Sequence, residues 1–239
     1  MTVRKYLTAL LIGTAGFFSA CSACADTILH YTFDDPANFG KNSGTAENAD
    51  AEAYLLSEMS SVPGAIGKAL VCTGMADSLH LENPARFIPG PCTISFFFRP
   101  EHMRERMTLV SFYGDDNNIL GLDIVNKHLA FNDFRRPKVR QLKQFGPQLE
   151  LNRFYHVIWR MDGKNVQVYL EGKEVFKQEY TLVPADFKPQ RMNIGTDYHN
   201  VVAQRYRLVG TLDDLQIDSA APTAESMVFC MSAAALQGG

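Results

Sequence analysis

Asp213, Asp214 and Asp218 form the densest acidic group near the end of this 239-residue chain. Paired carboxylates some ~5–9 Å apart are what glycoside hydrolysis requires. Side chains alternate along a strand, so Asp213 and Asp214 are expected to project to opposite sheet faces, which removes them as a pair. His156 has the imidazole that titrates nearest neutrality, but its neighbours Arg153 and Arg160 offer no carboxylate to orient it. It reads as structural, and so does His80 in Ser78-Leu79-His80-Leu81, which lacks a supporting acid.

Sugar recognition asks for aromatic rings that stack and planar polar groups that meet hydroxyls. Two loops offer both: Tyr113-Gly114-Asp115-Asp116-Asn117-Asn118 and Thr196-Asp197-Tyr198-His199-Asn200. The candidate ligand-binding residues are therefore Tyr113, Asp115, Asn117, Tyr198, His199 and Asn200. Phe131-Asn132-Asp133-Phe134-Arg135-Arg136 reads as an aromatic and basic turn between them. Each segment taken alone is equally an ordinary polar loop tip. Trp159, the single tryptophan, lies within an apolar run and is expected in the core.

The elements that must position these residues are short strands. Ile28–Phe33 alternates with period two, and a polar loop follows over 34–50. Further strands are expected at 68–72, 78–81, 93–99, 108–113, 119–125, 128–131, 154–161, 166–170, 174–180, 191–194 and 207–217. Asp162-Gly163 is expected to be the two central residues of a type I′ hairpin turn, and Glu171-Gly172 turns the chain again. Such spacing with Gly, Asp and Pro punctuation predicts an all-β, two-sheet antiparallel sandwich or jelly roll. A short C-terminal helix is expected within 223–239, entered after Pro222.

The ends and composition bound the role. Arg4 and Lys5, the apolar run 6–18 and Ala23-Cys24-Ala25 read as a secretory signal over 1–25. Phe18-Ser19-Ala20-Cys21 also resembles a lipobox, which would make Cys21 a lipid anchor. The expected location is secreted, periplasmic or cell-surface, with 26–222 as one sandwich domain. No later segment is long enough to cross a bilayer as a helix. A net charge of −3 from interspersed signs gives nucleic-acid binding no electrostatic support. Beyond the signal, Cys72, Cys92 and Cys230 leave an odd count, so buried free thiols are preferred over a Cys72–Cys92 bridge.

Several motifs in order resemble the LamG-like jelly-roll domains of the concanavalin A-like lectin/glucanase superfamily. Tyr31-Thr32-Phe33-Asp34 with Asn42-Ser43-Gly44 resembles the opening "W-x-F-D-E … D-S-S-G", and Gly67-Lys68-Ala69-Leu70 is similar to "G-K-A-L". Cys92–Pro100 resembles "F-T-I-S-A-W-V-K-P", Asn152–Val157 resembles "N-x-W-Y-H-V", and Gly210–Ile217 resembles "G-x-I-D-E-V-R-I". The likeness runs over roughly 28–227. It implies a concanavalin A-like sandwich and a structural Ca²⁺ held at the positions of Asp34, Asn42 and Asp213. The E-x-D-x-E strand of related endoglucanases and the R-x-E-x-R and Q-x-H patterns of jelly-roll lyases do not occur. The reading is an exported, non-catalytic module that binds a glycan. A structural or adhesion protein with a protein partner is the alternative, and a glycan-active enzyme with an unrecognised site is a third.

Overall fold

The computed structural model describes residues 26–46, 51–55, 59–75, 78–114, 118–135, 139–181, 183, 186, 188–196 and 206–219. The expected signal at 1–25 and the expected helix at 223–239 lie outside them.

Strands run through the described chain as the alternating apolar pattern requires. They are β1 (Thr27–Tyr31), β2 (Tyr54–Leu55), β3 (Ser60–Pro63), β4 (Lys68–Thr73) and β5 (Leu79–Glu82). Next come β6 (Cys92–Pro100), β7 (Arg106–Tyr113), β8 (Ile119–Val125), β9 (His128–Arg135) and β10 (Val139–Phe145). The last are β11 (Tyr155–Met161), β12 (Asn165–Leu170), β13 (Lys173–Glu179), β14 (Arg191–Ile194) and β15 (Val209–Asp218). One sheet has the order β13-β12-β11-β6-β15-β4-β3, with β1 also paired to β15. The other has the order β10-β9-β8-β7-β14-β5-β2. Every strand pairing is antiparallel, so the chain folds as a two-sheet β-sandwich jelly roll.

The inward residues of both sheets are apolar and fully buried: Ile94, Phe96 and Phe98 from β6, Leu120, Leu122 and Ile124 from β8. Trp159 is completely buried, its ring 6.1 Å from Phe112 and 6.3 Å from Phe131 across the sandwich. It fills the core, as expected of a large apolar side chain in mid-strand.

Three local expectations are corrected. The β11–β12 turn centres on Gly163-Lys164, because only Gly163 has positive φ (80°), as a type II′ turn demands. Asp162 sits before it, its Oδ1 accepting from the backbone N–H of Lys164 and of Asn165 at 2.8 and 2.6 Å. The two-residue loops with positive φ at both positions are Glu171-Gly172 (51° and 73°) and Asn126-Lys127 (49° and 71°). Phe131–Arg135 is not a turn; it continues β9, and β10 pairs with it along Phe145–Val139. β2, β3 and β10 have no counterpart among the expected strands.

Cys72 and Cys92 are both buried, and they do not bridge each other. Gly210 faces Cys72 on one side and Pro100 on the other. Cys92 therefore lies eight residues along β6 from the level of Cys72, roughly 26 Å at about 3.3 Å per residue. A bridge needs Cα atoms within about 7 Å. Burial pushes the Cys92 thiol up to about 12.

Candidate functional site

The outward side of the seven-stranded sheet carries polar and aromatic residues in rows that cross the strands. Glu82, Arg191, Tyr113, Ile119, Phe134 and Arg140 are register partners in turn across β5, β14, β7, β8, β9 and β10. Five strand spacings of about 4.8 Å make this row roughly 24 Å long, with Tyr113 and Phe134 about 10 Å apart. None of the six is buried. The Arg140 guanidinium lies 5.2 Å from the Phe134 ring centre. Glu82 accepts from Arg191 Nε at 2.9 Å and from the Tyr54 hydroxyl at 2.7 Å, so Tyr54, 39% exposed, is tied to the end of the row.

Beside this row, two residues along the strands on the same face, lies a buried polar row. Ser78 Oγ meets His80 Nε2 at 2.8 Å, and His80 Nδ1 meets Asn193 Oδ1 at 2.7 Å. Asn193 Nδ2 donates to Ser111 Oγ at 3.2 Å, and Ser111 donates to the Thr196 carbonyl at 2.9 Å. The chain of donors requires a neutral His80 with its proton on Nδ1. Burial pushes the His80 imidazole down to about 4, which keeps it neutral. Ser78, His80, Asn193 and Ser111 have no solvent exposure. A hydroxyl, imidazole and amide in this order resemble a nucleophile with its base, but complete burial makes them a brace beside the row. His80 is structural, as read from the sequence.

Arg106 Nη2 lies 2.8 Å from buried Asp123, and its guanidinium is 4.2 Å from the Tyr206 ring. Tyr206 therefore rests on this face, as does Thr196 through its carbonyl, on either side of the segment 197–205. Tyr198, His199 and Asn200 fall inside it and lie outside the described residues, as do Asp115 and Asn117. Tyr113 is the one residue of the six expected sugar contacts that the structure describes, and it stands, half-buried, in the middle of that row. Tyr54 and Arg191 were missed because their relation to Tyr113 exists only through strand pairing. Phe134 was noticed, though assigned to a turn.

A second polar junction joins the loop after β1 to β15. Asp213 and Asp214 do not project to opposite faces. A bulge with φ 48° at Asp214 turns both outward, between inward Leu212 and Leu215. Asp213 Oδ2 accepts from the Ile66 N–H at 2.8 Å, and Asp34 Oδ1 accepts from the Lys68 N–H at 2.8 Å. Gly64 and Gly67 permit this wrapping: a Cβ there would fall 2.3 Å from Asp213 Oδ2 and 2.2 Å from Asp34 Oδ1. Asp213 Oδ1 is buried without a hydrogen-bond partner. Burial, with Asp214 and Asp34 nearby, pushes the Asp213 carboxyl up to about 7. Asp214 pairs with His30 Nε2 at 2.5 Å.

Asn42 is used differently. Its Oδ1 accepts from His30 N–H at 2.8 Å and Gly44 N–H at 2.9 Å, while Nδ2 donates to the Ala46 carbonyl. Both oxygen lone pairs serve the turn. Among the described residues, no three His, Cys, Asp or Glu side chains cluster as a metal site. The donors left at the junction are one carboxylate oxygen each from Asp34 and Asp213. They suit a hard cation, provided backbone oxygens and water complete its shell.

Among the described residues, His156 is not part of a triad. Its ring centre lies 4.6 Å from that of Phe97 on the outward side of the eight-stranded sheet, and burial lowers its pKa.

Residues 73–227 match a family described as the concanavalin A-like lectin/glucanases superfamily. The chain belongs to that superfamily. No curated protein matches its sequence. Among solved structures it is similar to domain 4 of AbnA, a GH43 extracellular arabinanase from Geobacillus stearothermophilus, solved in complex with arabinotriose. Identity is 18%, the TM-score 0.68, and the match covers 84% of this chain and 96% of that one. It is also similar to the binding domain of Paraclostridial Mosquitocidal Protein 1, at 12% identity and TM-score 0.62, covering 85% of this chain and 52% of that one. Trypanosoma rangeli sialidase in complex with the inhibitor DANA matches at 16% identity and TM-score 0.57. There 74% of this chain corresponds to only 28% of the sialidase chain. At these identities the likeness is one of fold.

Proposed function

We propose that this protein is an exported, non-catalytic carbohydrate-binding domain that receives an oligosaccharide along the outward row of its seven-stranded sheet. The observation that carries the reading is the alignment of Tyr54, Tyr113 and Phe134 with Arg191, Glu82 and Arg140. Exposed and half-buried rings and planar hydrogen-bonding groups share one strip there, beside a rigid buried polar row. Rings supply stacking area, and charged side chains held by partners supply directed hydrogen bonds at little ordering cost. The carboxylates of this face favour binding over hydrolysis, because Glu82 is engaged by Arg191 and Asp123 by Arg106. The arabinotriose-bound neighbour supports the ligand class. A structural Ca²⁺ would be held by Asp34 and Asp213, offsetting their mutual repulsion and tying the first loop to β15. Export, with or without a lipid on Cys21, rests on the signal-like N-terminus.

A glycan array read with the purified protein tests this. Dose-dependent binding that Tyr113→Ala weakens at least tenfold is expected. Silence across the array, with a reproducible protein partner, would replace the reading with an adhesion role. Mass spectrometry of the protein recovered from the producing cell's exterior reports the mature N-terminus and any lipid.

A further inference from the structure

Near the edge of the sandwich formed by β10 and β13, an inward-facing carboxylate on β9 takes the place of an apolar side chain. Asp133, opposite core residue Leu120, is 1% exposed. Its Oδ1 accepts from Arg135 Nε at 2.7 Å, and its Oδ2 accepts from Arg135 Nη2 at 2.8 Å and from the Tyr180 hydroxyl at 3.1 Å. The guanidinium is thereby fixed, 5.6 Å from the Tyr180 ring centre. It borders a pocket of about 390 Å³ whose described lining is Arg135, Glu179, Tyr180 and Thr181.

The Asp133 clamp uses only two of the five guanidinium N–H groups. The other three have no partner among the described residues. The Glu179 carboxylate and the Thr181 hydroxyl are likewise unengaged there. The pocket thus sets fixed donors and a free acceptor side by side against an aromatic ring. We infer that this edge pocket is a second sugar subsite, taking a neutral residue through two adjacent hydroxyls. Each hydroxyl can accept from Arg135 while donating to Glu179. An anionic sugar suits the pocket less: Asp133 already neutralises Arg135, and Glu179 leaves one uncompensated negative charge. The inference rests on the carbohydrate reading above and deepens it by naming the chemistry of one residue of the glycan.

The test compares wild type with Glu179→Ala, Arg135→Lys and Tyr113→Ala on one array. The array carries neutral oligosaccharides, arabinotriose among them, and counterparts bearing uronic or sialic acid. Glu179→Ala is expected to reduce binding to neutral glycans at least tenfold with an unchanged melting temperature, since Glu179 is exposed. Arg135→Lys, which keeps the charge and loses the fork, should do the same. Wild-type binding by both pocket variants overturns the inference, and so does a wild-type preference for the carboxylated glycans. If only Tyr113→Ala weakens binding, the row stands and the pocket falls. If only the pocket variants do, the pocket stands and the row falls; an array silent to wild type removes both.

Discussion

Replacing His80 by Gln should flatten the acid sensitivity of this fold. In the native state His80 is neutral, donating from Nδ1 to Asn193 and accepting from Ser78 at Nε2. Protonation would turn Nε2 into a donor facing Ser78 and place a charge in a fully buried layer, near Arg191 and Arg207. Burial lowers the folded-state pKa to about 4 from 6.5. At about 1.4 kcal/mol per unit, that shift is worth about 3 kcal/mol. The sign follows from proton uptake. Between pH 6.5 and 4 the unfolded chain binds a proton that the folded one does not. The contribution of His80 is therefore complete above pH 6.5 and lost as the pH falls to 4. Urea unfolding of wild type and His80→Gln across pH 4 to 8 isolates it, because other carboxylates titrate equally in both. The stability gap between them should narrow by about 3 kcal/mol from pH 7.5 to pH 4. For a domain of this length that corresponds to roughly 6–12 °C in melting temperature. Parallel pH profiles would refute the buried-neutral assignment and, with it, the brace beside the Tyr113 row.

Other outcomes are equally specific. Trp159→Ala should destabilise by about 3–5 kcal/mol, read by urea unfolding, because the ring is fully buried between Phe112 and Phe131. Calcium should raise the melting temperature of wild type but not of Asp213→Asn, and EDTA should reverse the rise; equal behaviour of the two would remove Asp213 as a ligand. Gly172→Val, at φ 73°, should cost about 1–2 kcal/mol by the same unfolding assay, since a β-branched side chain resists the left-handed region. Reducing agent should leave the melting temperature unchanged, as Cys72 and Cys92 lie too far apart to bridge each other.

Much of the sandwich was legible in the chain because apolar alternation is a local signal. β8 falls at 119–125 as expected, and β4, β6, β11 and β12 differ from their expected spans by one or two residues at an end. The unexpected strands β2, β3 and β10 lack that signal: Val139–Phe145, with Arg140, Lys143 and two glutamines, is an edge strand whose pairing carries it. Asp213 and Asp214 show the limit of strict alternation, since one bulge with positive φ puts both on one face. Nothing in the dipeptide announces that bulge.

By itself, the sequence determined the class of fold, the core position of Trp159 and the structural character of His80. Tyr113 was visible as a candidate because an aromatic beside a polar loop is a recognisable composition. Only the tertiary structure decided its company. Arg191, Phe134 and Glu82 are distant in sequence and become a row through register, and a register shift of one would turn each to the other face. The same holds for the edge pocket, where Asp133 and Tyr180 meet across 47 residues. Periodicity along a chain is set by each residue's own backbone. Adjacency between strands is set by which pairings bury the most apolar surface, and that is a property of the whole fold.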